Sequence, residues 1–140
     1  QIINLLLDIK AELKLTSLVI AHNLAVVRQL SETVGVMYLG SLAEEAPAPQ
    51  IFSHPAHPYT RALLSAAPIP DPHVEDTRER IVLSGDPPSP AATFKGCKFA
   101  TRCPSRQSTR CQDQVPELRL VAPGHRVACH WAEKLMPSAV

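Results

Sequence analysis

Val19-Ile20-Ala21-His22-Asn23-Leu24 decides the fold, because an apolar run leads directly into a histidine and then into the start of a helix. The run from Ser17 to Ala21 has the pattern of a strand that is buried on both faces. Asn23 is a favourable N-cap for the following helix, which is predicted to end near Glu32. Ligands of open α/β sheets bind beyond the carboxyl ends of the strands, so a histidine at position 22 can reach a bound nucleotide. The alternative is a histidine that only satisfies a turn.

The neighbouring segments extend this pattern into a mixed arrangement of helices and strands. Apolar spacing and turn-forming residues predict helices over residues 1–14, 47–52 and 58–66, a hairpin of strands 34–39 and 42–46, and a possible strand over 80–83. The predicted fold class is therefore α/β. Three strands are too few to complete a doubly wound sheet, so we expect the remaining strands to lie upstream of Gln1.

Composition divides the chain into two units. Its 140 residues suffice for one modest core, or for part of a larger domain with an appendage. Between Lys95 and Trp131 there are seven Lys or Arg and two Asp or Glu, a local charge of +5 that leaves −4 for the other residues. Six of the 14 prolines lie between Pro68 and Pro90, which predicts an extended linker. The overall charge of +1 gives no general case for nucleic-acid binding, and the basic unit lacks interleaved aromatic residues.

All four cysteines lie in the basic unit, with the spacing C-x5-C-x7-C-x17-C; they are Cys97, Cys103, Cys111 and Cys129. A segment this small needs a cross-link or a bound metal to fold, and four thiols are compatible with an iron–sulfur cluster, a zinc site or two disulfides. The C-x2-C knuckles that are usual for zinc are absent, and disulfides require an oxidising compartment. Basic residues nearby are expected to offset the charge of the thiolates and to lower the thiol pKa. They are Lys98, Arg102, Arg106, Arg110 and Arg126.

The histidines beyond His22 give weaker signals. His125 and His130 are possible substitute ligands, residues around the thiol site, or surface residues. We predict that His54, His57 and His73 are solvent or turn residues, because nothing near them has metal-ligand spacing.

Several motifs are absent from the chain. It contains no phosphate-binding loop of the form G-x-x-x-x-G-K-[ST], no nucleophile elbow and no H-E-x-x-H, so it holds no complete catalytic set. No apolar run approaches the ~20 residues of a membrane span, and no targeting signal is present. The chain begins with Gln1 in a helical pattern, which leads us to expect a fragment of a longer protein.

An ordered series of short motifs resembles the ATP-binding subunits of ABC transporters. SLVIAHNLAVV at residues 17–27 resembles the switch-histidine region, and the match continues through VMYLG at 36–40, Glu44 and Ile51-Phe52. HPYTRALL at residues 57–64 narrows the resemblance to the oligopeptide/dipeptide importer group. The C-terminal extension of that group is matched by GDPPSP at 85–90, Gly96-Cys97, Arg102-Cys103-Pro104 and GHRVACH at 124–130.

This resemblance implies the C-terminal portion of an ABC-type nucleotide-binding domain, followed by a small, cysteine-rich and loop-rich extension. It assigns residues 1–67 to the ATPase domain, 68–92 to a proline-rich linker, 93–131 to the four-cysteine extension and 132–140 to a tail.

The resemblance also implies a transport ATPase that couples ATP hydrolysis to oligopeptide or dipeptide uptake, bound peripherally at the cytoplasmic face of the plasma membrane. His22 would be the switch histidine, which contacts the γ-phosphate of Mg²⁺-bound ATP and the attacking water. The implied partners are a second ATP-binding subunit, identical or different, and transmembrane permease subunits. The phosphate loop and the catalytic glutamate precede this region in the family, so the chain alone is expected to be inactive.

The family's cysteine array implies a [4Fe–4S] cluster held by Cys97, Cys103, Cys111 and Cys129, with Zn²⁺ as the alternative. Two residues depart from the family pattern, since Ala21 stands where Ser or Thr is common and Asn23 where Asp is more frequent. Two other functions remain open. One is a metal- or iron–sulfur-binding interaction module without ATPase activity, and the other is a secreted protein stapled by disulfides.

Overall fold

The computed structural model describes residues 2–68, 80–89 and 91–136, and the architecture below concerns these residues. The helices are α1 (Ile2–Glu12), α2 (Leu24–Leu30), α3 (Ala48–Ser53), α4 (Pro58–Ala66), α5 (Arg110–Asp113) and α6 (Ala132–Leu135). The strands are β1 (Thr33–Tyr38), β2 (Ser41–Pro47), β3 (Arg119–Ala122) and β4 (His125–Val127). The predicted mixture of helices and sheet is confirmed. None of the helices in these ranges is long and apolar enough to cross a lipid bilayer.

β1 and β2 form the predicted antiparallel hairpin. Tyr38 pairs with Ser41 across a two-residue turn in which Leu39 and Gly40 both have positive φ, at 45° and 72°. Two consecutive positive φ values are typical of the type I′ turn, whose twist matches that of the flanking strands. Gly40 adopts this conformation without a steric penalty, whereas Leu39 is strained. The side chains of β1 alternate between exposed and buried, so one face of the strand covers the core.

The sheet continues into the cysteine-containing segment, with the strand order β1-β2-β4-β3 and antiparallel pairing throughout. β4 lies against β2, where Glu44 pairs with Val127 and Glu45 with Arg126. β3 and β4 are not predicted from the sequence, because strands of three or four residues are too short to show a clear alternating pattern. The proposed domain boundaries at residues 68 and 93 are not tested by this pairing and stay predictions.

Three small clusters of buried side chains form the core. One packs the hairpin against α3 and includes Val34, Ala46 and Ile51. A second joins the hairpin to the cysteine-containing segment, where the rings of Tyr38 and Phe99 meet edge to face with centroids 5.2 Å apart. The third lies between β4 and the start of α6. Residues far apart in the sequence therefore share one packed interior.

The predicted strand over residues 17–21 is wrong. These residues have no regular secondary structure, and the side chains of Leu18 and Ile20 are 92% and 93% exposed. A strand needs neighbours to satisfy its N–H and C=O groups, and within the described ranges no strand pairs with this segment. α1 forms as predicted, yet none of its residues is buried. The apolar pattern is thus present without a surface to match it.

The predicted strand over residues 80–83 is also wrong, because these residues have no regular secondary structure. The N–H of Ile81 donates to Oγ of Ser65 in α4 at 3.0 Å, instead of to a neighbouring strand. Part of the predicted linker, residues 69–79, includes His73. These residues, with Pro90 and residues 137–140 of the predicted tail, lie outside the described ranges.

Candidate functional site

His22 borders an open groove of about 1280 Å³, which is lined by the irregular segment before it, by α2 and by β1. Asn23 caps α2 as predicted, since its Oδ1 accepts from the N–H groups of Ala25 at 3.0 Å and Val26 at 3.4 Å. This cap fixes the backbone directly after His22, while the imidazole is exposed. The role of His22 at a nucleotide stays a prediction.

The four cysteines line one small cavity of about 20 Å³, which we call the thiol cavity. Cys97 and Cys103 come from consecutive turns, Cys111 from α5, and Cys129 from the segment between β4 and α6. The chain therefore brings together thiols that are spread over about a quarter of its length. Other residues that line the cavity are His57, Phe99, His130 and Trp131.

A close backbone contact holds two of these thiols together. The N–H of Cys97 donates to the carbonyl of Cys111 at 2.9 Å. A Cβ atom on the neighbouring Gly96 would lie 2.4 Å from the backbone of Gln112, nearer than any side chain can approach. Glycine at this position is required by the approach of α5 rather than by a turn.

The donor set of the thiol cavity suits a metal, but its present arrangement is not that of a metal site. All four cysteines are free, so the disulfides considered above are not formed. In the part of the chain that the structure describes, no group of three or more His, Cys, Asp or Glu residues could hold a metal ion as it stands. Thiolates are the ligands of iron–sulfur clusters and of many zinc sites. Loading the cavity would therefore require the cysteine side chains to move.

Burial raises the pKa of three thiols, which is the opposite of the effect predicted from the basic residues. Desolvation raises the pKa of Cys97, and it raises those of Cys103 and Cys129 to about 11, because the thiolate loses its contact with water. The other thiols of the cavity raise these pKa values further. Cys97, Cys103 and Cys129 are therefore protonated at neutral pH when no metal is bound.

One cation, Arg119, lowers the pKa of Cys129, but it is not among the five cations expected from the sequence. Three of them donate to groups outside the thiol cavity: Lys98 Nζ to the Leu39 carbonyl at 2.8 Å, Arg102 Nε to the Gly85 carbonyl at 3.1 Å, and Arg126 Nη2 to Glu45 Oε2 at 2.6 Å. Proximity in the sequence therefore gave a wrong indication of electrostatic contact.

Backbone N–H groups, rather than cations, are directed at the sulfur atoms. Sγ of Cys129 accepts from the N–H of Trp131 at 3.4 Å. Cys97 and Cys103 have backbone hydrogen bonds from Phe99 and Ser105, again two residues further along the chain, and each of these bonds lowers the thiol pKa. Hydrogen bonds to sulfur favour the thiolate over the thiol, so this repeated arrangement fits a set of metal ligands.

A buried carboxylate connects the hairpin to this region. Glu44 accepts at Oε1 from the N–H of Ala56 at 2.7 Å and at Oε2 from the N–H of His57 at 3.0 Å. Nε2 of His125 lies 2.6 Å from Oε1, and we assign the proton to this nitrogen because the carboxylate accepts. His125 does not line the thiol cavity, so the substitute-ligand alternative is wrong for this residue.

His57 is the residue that the sequence analysis misjudges most. It is buried, it lines the thiol cavity, and its Nδ1 accepts from the N–H of Tyr59 at 3.1 Å to cap α4. Burial lowers its pKa to about 4, although Glu44 and a hydrogen bond to the backbone of Ala128 act in the opposite direction. His57 is therefore neutral and links α4 to the residue before Cys129. Pro58, which follows it, was the available signal of a helix start.

In the reduced, metal-free chain, Cys103 and Cys129 are expected to react with iodoacetamide at about pH 8 roughly 100-fold more slowly than in urea. Their pKa of about 11 lies above the usual 9.0, and the thiolate fraction falls about tenfold per unit. Their rate should rise with pH to about 11, whereas that of the unfolded chain should level off near 9. Mass spectrometry of the alkylated peptides measures both rates. Equal rates in the folded and unfolded chain would contradict the buried environment.

Residues 43–111 match the family model for the C-terminal region of oligopeptide/dipeptide transporters. The chain is 48% identical over 130 residues to the putative oligopeptide transport ATP-binding protein YkfD of Bacillus subtilis, an alignment that covers 93% of the chain. It is 50% identical over 129 residues to a putative peptide import ATP-binding protein of Brucella ovis, covering 92%. It is 45% identical over 138 residues to the di/tripeptide transport ATP-binding protein DppF of Pseudomonas aeruginosa, covering 97%. The chain belongs to the oligopeptide/dipeptide transporter ATP-binding subunits.

Within these transporter subunits, the chain corresponds to a C-terminal part. It spans 39% of YkfD, 40% of the Brucella protein and 41% of DppF. The match to the C-terminal region of oligopeptide/dipeptide transporters includes Glu44, His57 and three of the four cysteines. His22 and Cys129 lie outside that match.

Proposed function

We propose that the protein to which these residues belong is the ATP-binding subunit of a peptide ABC importer, which couples ATP hydrolysis to oligopeptide or dipeptide uptake. The observation that carries this proposal is the similarity, over at least 92% of the chain, to proteins named for peptide transport or import and for ATP binding. The alternative of an interaction module without ATPase activity has no comparable support.

His22 is the part of the ATPase machinery that we assign to this chain. Its imidazole is exposed at the groove, and the capped backbone after it limits its movement. A histidine at the γ-phosphate stabilises charge and orients the attacking water, but it cannot hold the phosphates or Mg²⁺ by itself. Those groups would be bound by the rest of the subunit. The subunit would lie at the cytoplasmic face of the plasma membrane, and a second ATP-binding subunit and transmembrane permease subunits would complete the transporter.

Deletion of the gene is expected to abolish uptake of a labelled dipeptide or oligopeptide, and a plasmid-borne copy of the whole gene is expected to restore it. A plasmid that encodes only these 140 residues should not restore uptake, and the purified chain should hydrolyse ATP no faster than buffer, because it lacks a phosphate-binding loop. Peptide uptake that is independent of the gene would contradict the transport function. ATP hydrolysis by the purified chain would contradict the assignment of phosphate binding to the rest of the subunit.

We also propose that the thiol cavity is a metal site of the same subunit, holding a [4Fe–4S] cluster or, as the alternative, Zn²⁺. The observation that favours it is the presence of four free thiols around one cavity, with backbone N–H groups directed at three of the sulfur atoms. The N–H groups would stabilise the negative charge of the thiolates, and Arg119, which donates to the carbonyl of Cys129 at 3.2 Å, would add to this effect at Cys129. Iron with acid-labile sulfide would identify a cluster, and zinc without sulfide a single-ion site.

A further inference from the structure

The thiol cavity is lined by one buried donor that has no hydrogen bond. Trp131 lines the cavity, and among the described residues its Nε1–H is buried without a partner. The great majority of buried N–H groups in proteins are paired, because removing such a group from water is costly when no acceptor replaces it. An indole N–H can only donate. The group that would satisfy it is therefore an acceptor at the cavity.

Contacts of both the ring and the backbone hold Trp131 beside this cavity. Nζ of Lys134 lies 4.9 Å from the centroid of the indole ring, in a cation–π contact. The backbone N–H of Trp131 donates to Sγ of Cys129, and its carbonyl accepts from the N–H of Lys134 at 3.0 Å at the start of α6. The backbone of Trp131 is thus held next to the sulfur of Cys129, at the start of α6.

We propose that Nε1–H of Trp131 donates a hydrogen bond to a sulfur atom of the metal–thiolate group that the four cysteines hold, and so positions and stabilises this group. The inference rests on the metal site proposed above. Sulfur in such a group carries negative charge and accepts hydrogen bonds, and these bonds tune both metal affinity and reduction potential. Trp131 would be the side-chain member of a donor set whose other members are the backbone N–H groups of Phe99, Ser105 and Trp131 itself.

Substitution of Trp131 by phenylalanine tests the proposal, because it keeps an aromatic ring over which Lys134 can lie and removes the N–H donor together with one ring of the indole. The full chain is prepared reduced and without metal, and Co²⁺ is the probe because its sulfur charge-transfer bands report bound thiolates. We expect Trp131→Phe to weaken Co²⁺ binding about tenfold, which is the usual effect of losing a hydrogen bond to a metal ligand. We also expect a shift in the energy of the charge-transfer band, which a loss of packing alone would not cause.

Tyr38→Phe is the matched control. Tyr38 also carries a buried hydroxyl without a partner among the described residues, and it packs on Phe99, but it does not line the thiol cavity. We expect its Co²⁺ affinity and spectrum to equal those of the wild type. An unchanged spectrum and affinity in Trp131→Phe, or equal losses in both variants, would overturn the proposal. A wild-type chain that shows no sulfur charge-transfer band would overturn the metal site itself and this inference with it.

A measurement on the wild-type chain keeps the test independent of how the variant folds. Trp131 is the single tryptophan, so ¹⁵N-labelled protein gives one indole N–H resonance. Loading with Zn²⁺ is expected to move this proton resonance downfield and to slow its exchange with solvent, because the N–H becomes hydrogen-bonded to sulfur. An indole resonance that stays unchanged while Zn²⁺ binds would overturn the role of Trp131 and leave the metal site standing.

Discussion

Replacement of His22 by alanine in the full-length subunit is expected to lower kcat for ATP hydrolysis about 100- to 1000-fold, which is the usual effect of removing one preorganised donor at a developing charge. The KM for ATP should change little, because a residue at the γ-phosphate contributes most when the attacking water forms its bond. Steady-state phosphate release by the assembled transporter measures both parameters.

His54→Ala is the control for this prediction. His54 is exposed like His22, and its Nδ1 contacts only a neighbouring hydroxyl among the contacts that the structure describes, Oγ of Ser53 at 2.7 Å. We expect its substitution to leave ATP hydrolysis unchanged. Hydrolysis at the wild-type rate in His22→Ala would refute the assignment of His22. A rise in KM with unchanged kcat would instead show that His22 binds nucleotide without acting on the transition state.

The sequence predicts those elements whose signals are local. The Asn23 cap, the hairpin around Gly40 and the proline-initiated α4 each depend on residues within a few positions of one another. Such signals act through backbone conformation and through short hydrogen bonds, so no distant partner is needed to interpret them.

The elements that depend on distant partners are not predictable in this way. Glu44 and His125 meet across 81 positions, and nothing near either residue indicates the other. Residues 17–21 show the converse case, since their apolar pattern is that of a buried strand although the described chain offers no strand to pair with it. An apolar pattern of this kind indicates that a segment is suited to burial, but the residues that would bury it can lie outside the described chain.

The thiol cavity has one feature that the sequence predicts and others that it does not. The four cysteines could be grouped from the sequence because free thiols in a small basic segment suggest a common function. The raised pKa values of Cys97, Cys103 and Cys129 could not be predicted in this way, because they result from burial, while Lys98 and Arg102 bond to backbone carbonyls elsewhere. The burial of His57 beside the cavity was not predicted, because no local spacing in the sequence indicates it.

The largest effect on stability is expected from Glu44→Ala, which should lower the free energy of unfolding by about 3–5 kcal/mol. The substitution removes the acceptor of two buried backbone N–H groups and of the imidazole of His125, so three donors would remain buried without partners. Small domains have a total stability of only about 5–15 kcal/mol. Urea unfolding followed by the fluorescence of Trp131 measures the difference.

Glu45→Ala is the matched control, because Glu45 is the next residue of β2 and points to the opposite face. Its ion pair with Arg126 is at the surface, where the two side chains are 28% and 49% exposed, so we expect a loss of about 0–1 kcal/mol. Equal losses in the two variants would mean that β2 is sensitive to any truncation and that the buried carboxylate has no special role.

Glu44→Ala should also open the thiol cavity, since the carboxylate holds the N–H of His57, and His57 in turn contacts the backbone beside Cys129. We expect alkylation of Cys129 to become faster in Glu44→Ala under conditions where the variant is still folded, and to remain slow in Glu45→Ala.

A double variant that combines Glu44→Ala with His125→Ala separates the effect of the contact with His125 from the effect of the contact with His57. If the loss of stability passes mainly through His125, the double variant will be little less stable than Glu44→Ala alone, because both substitutions remove the same hydrogen bond. If the double variant is little less stable than Glu44→Ala and Cys129 is still alkylated faster than in the wild type, the rigidity of the cavity depends on the hydrogen bond between Glu44 and His57.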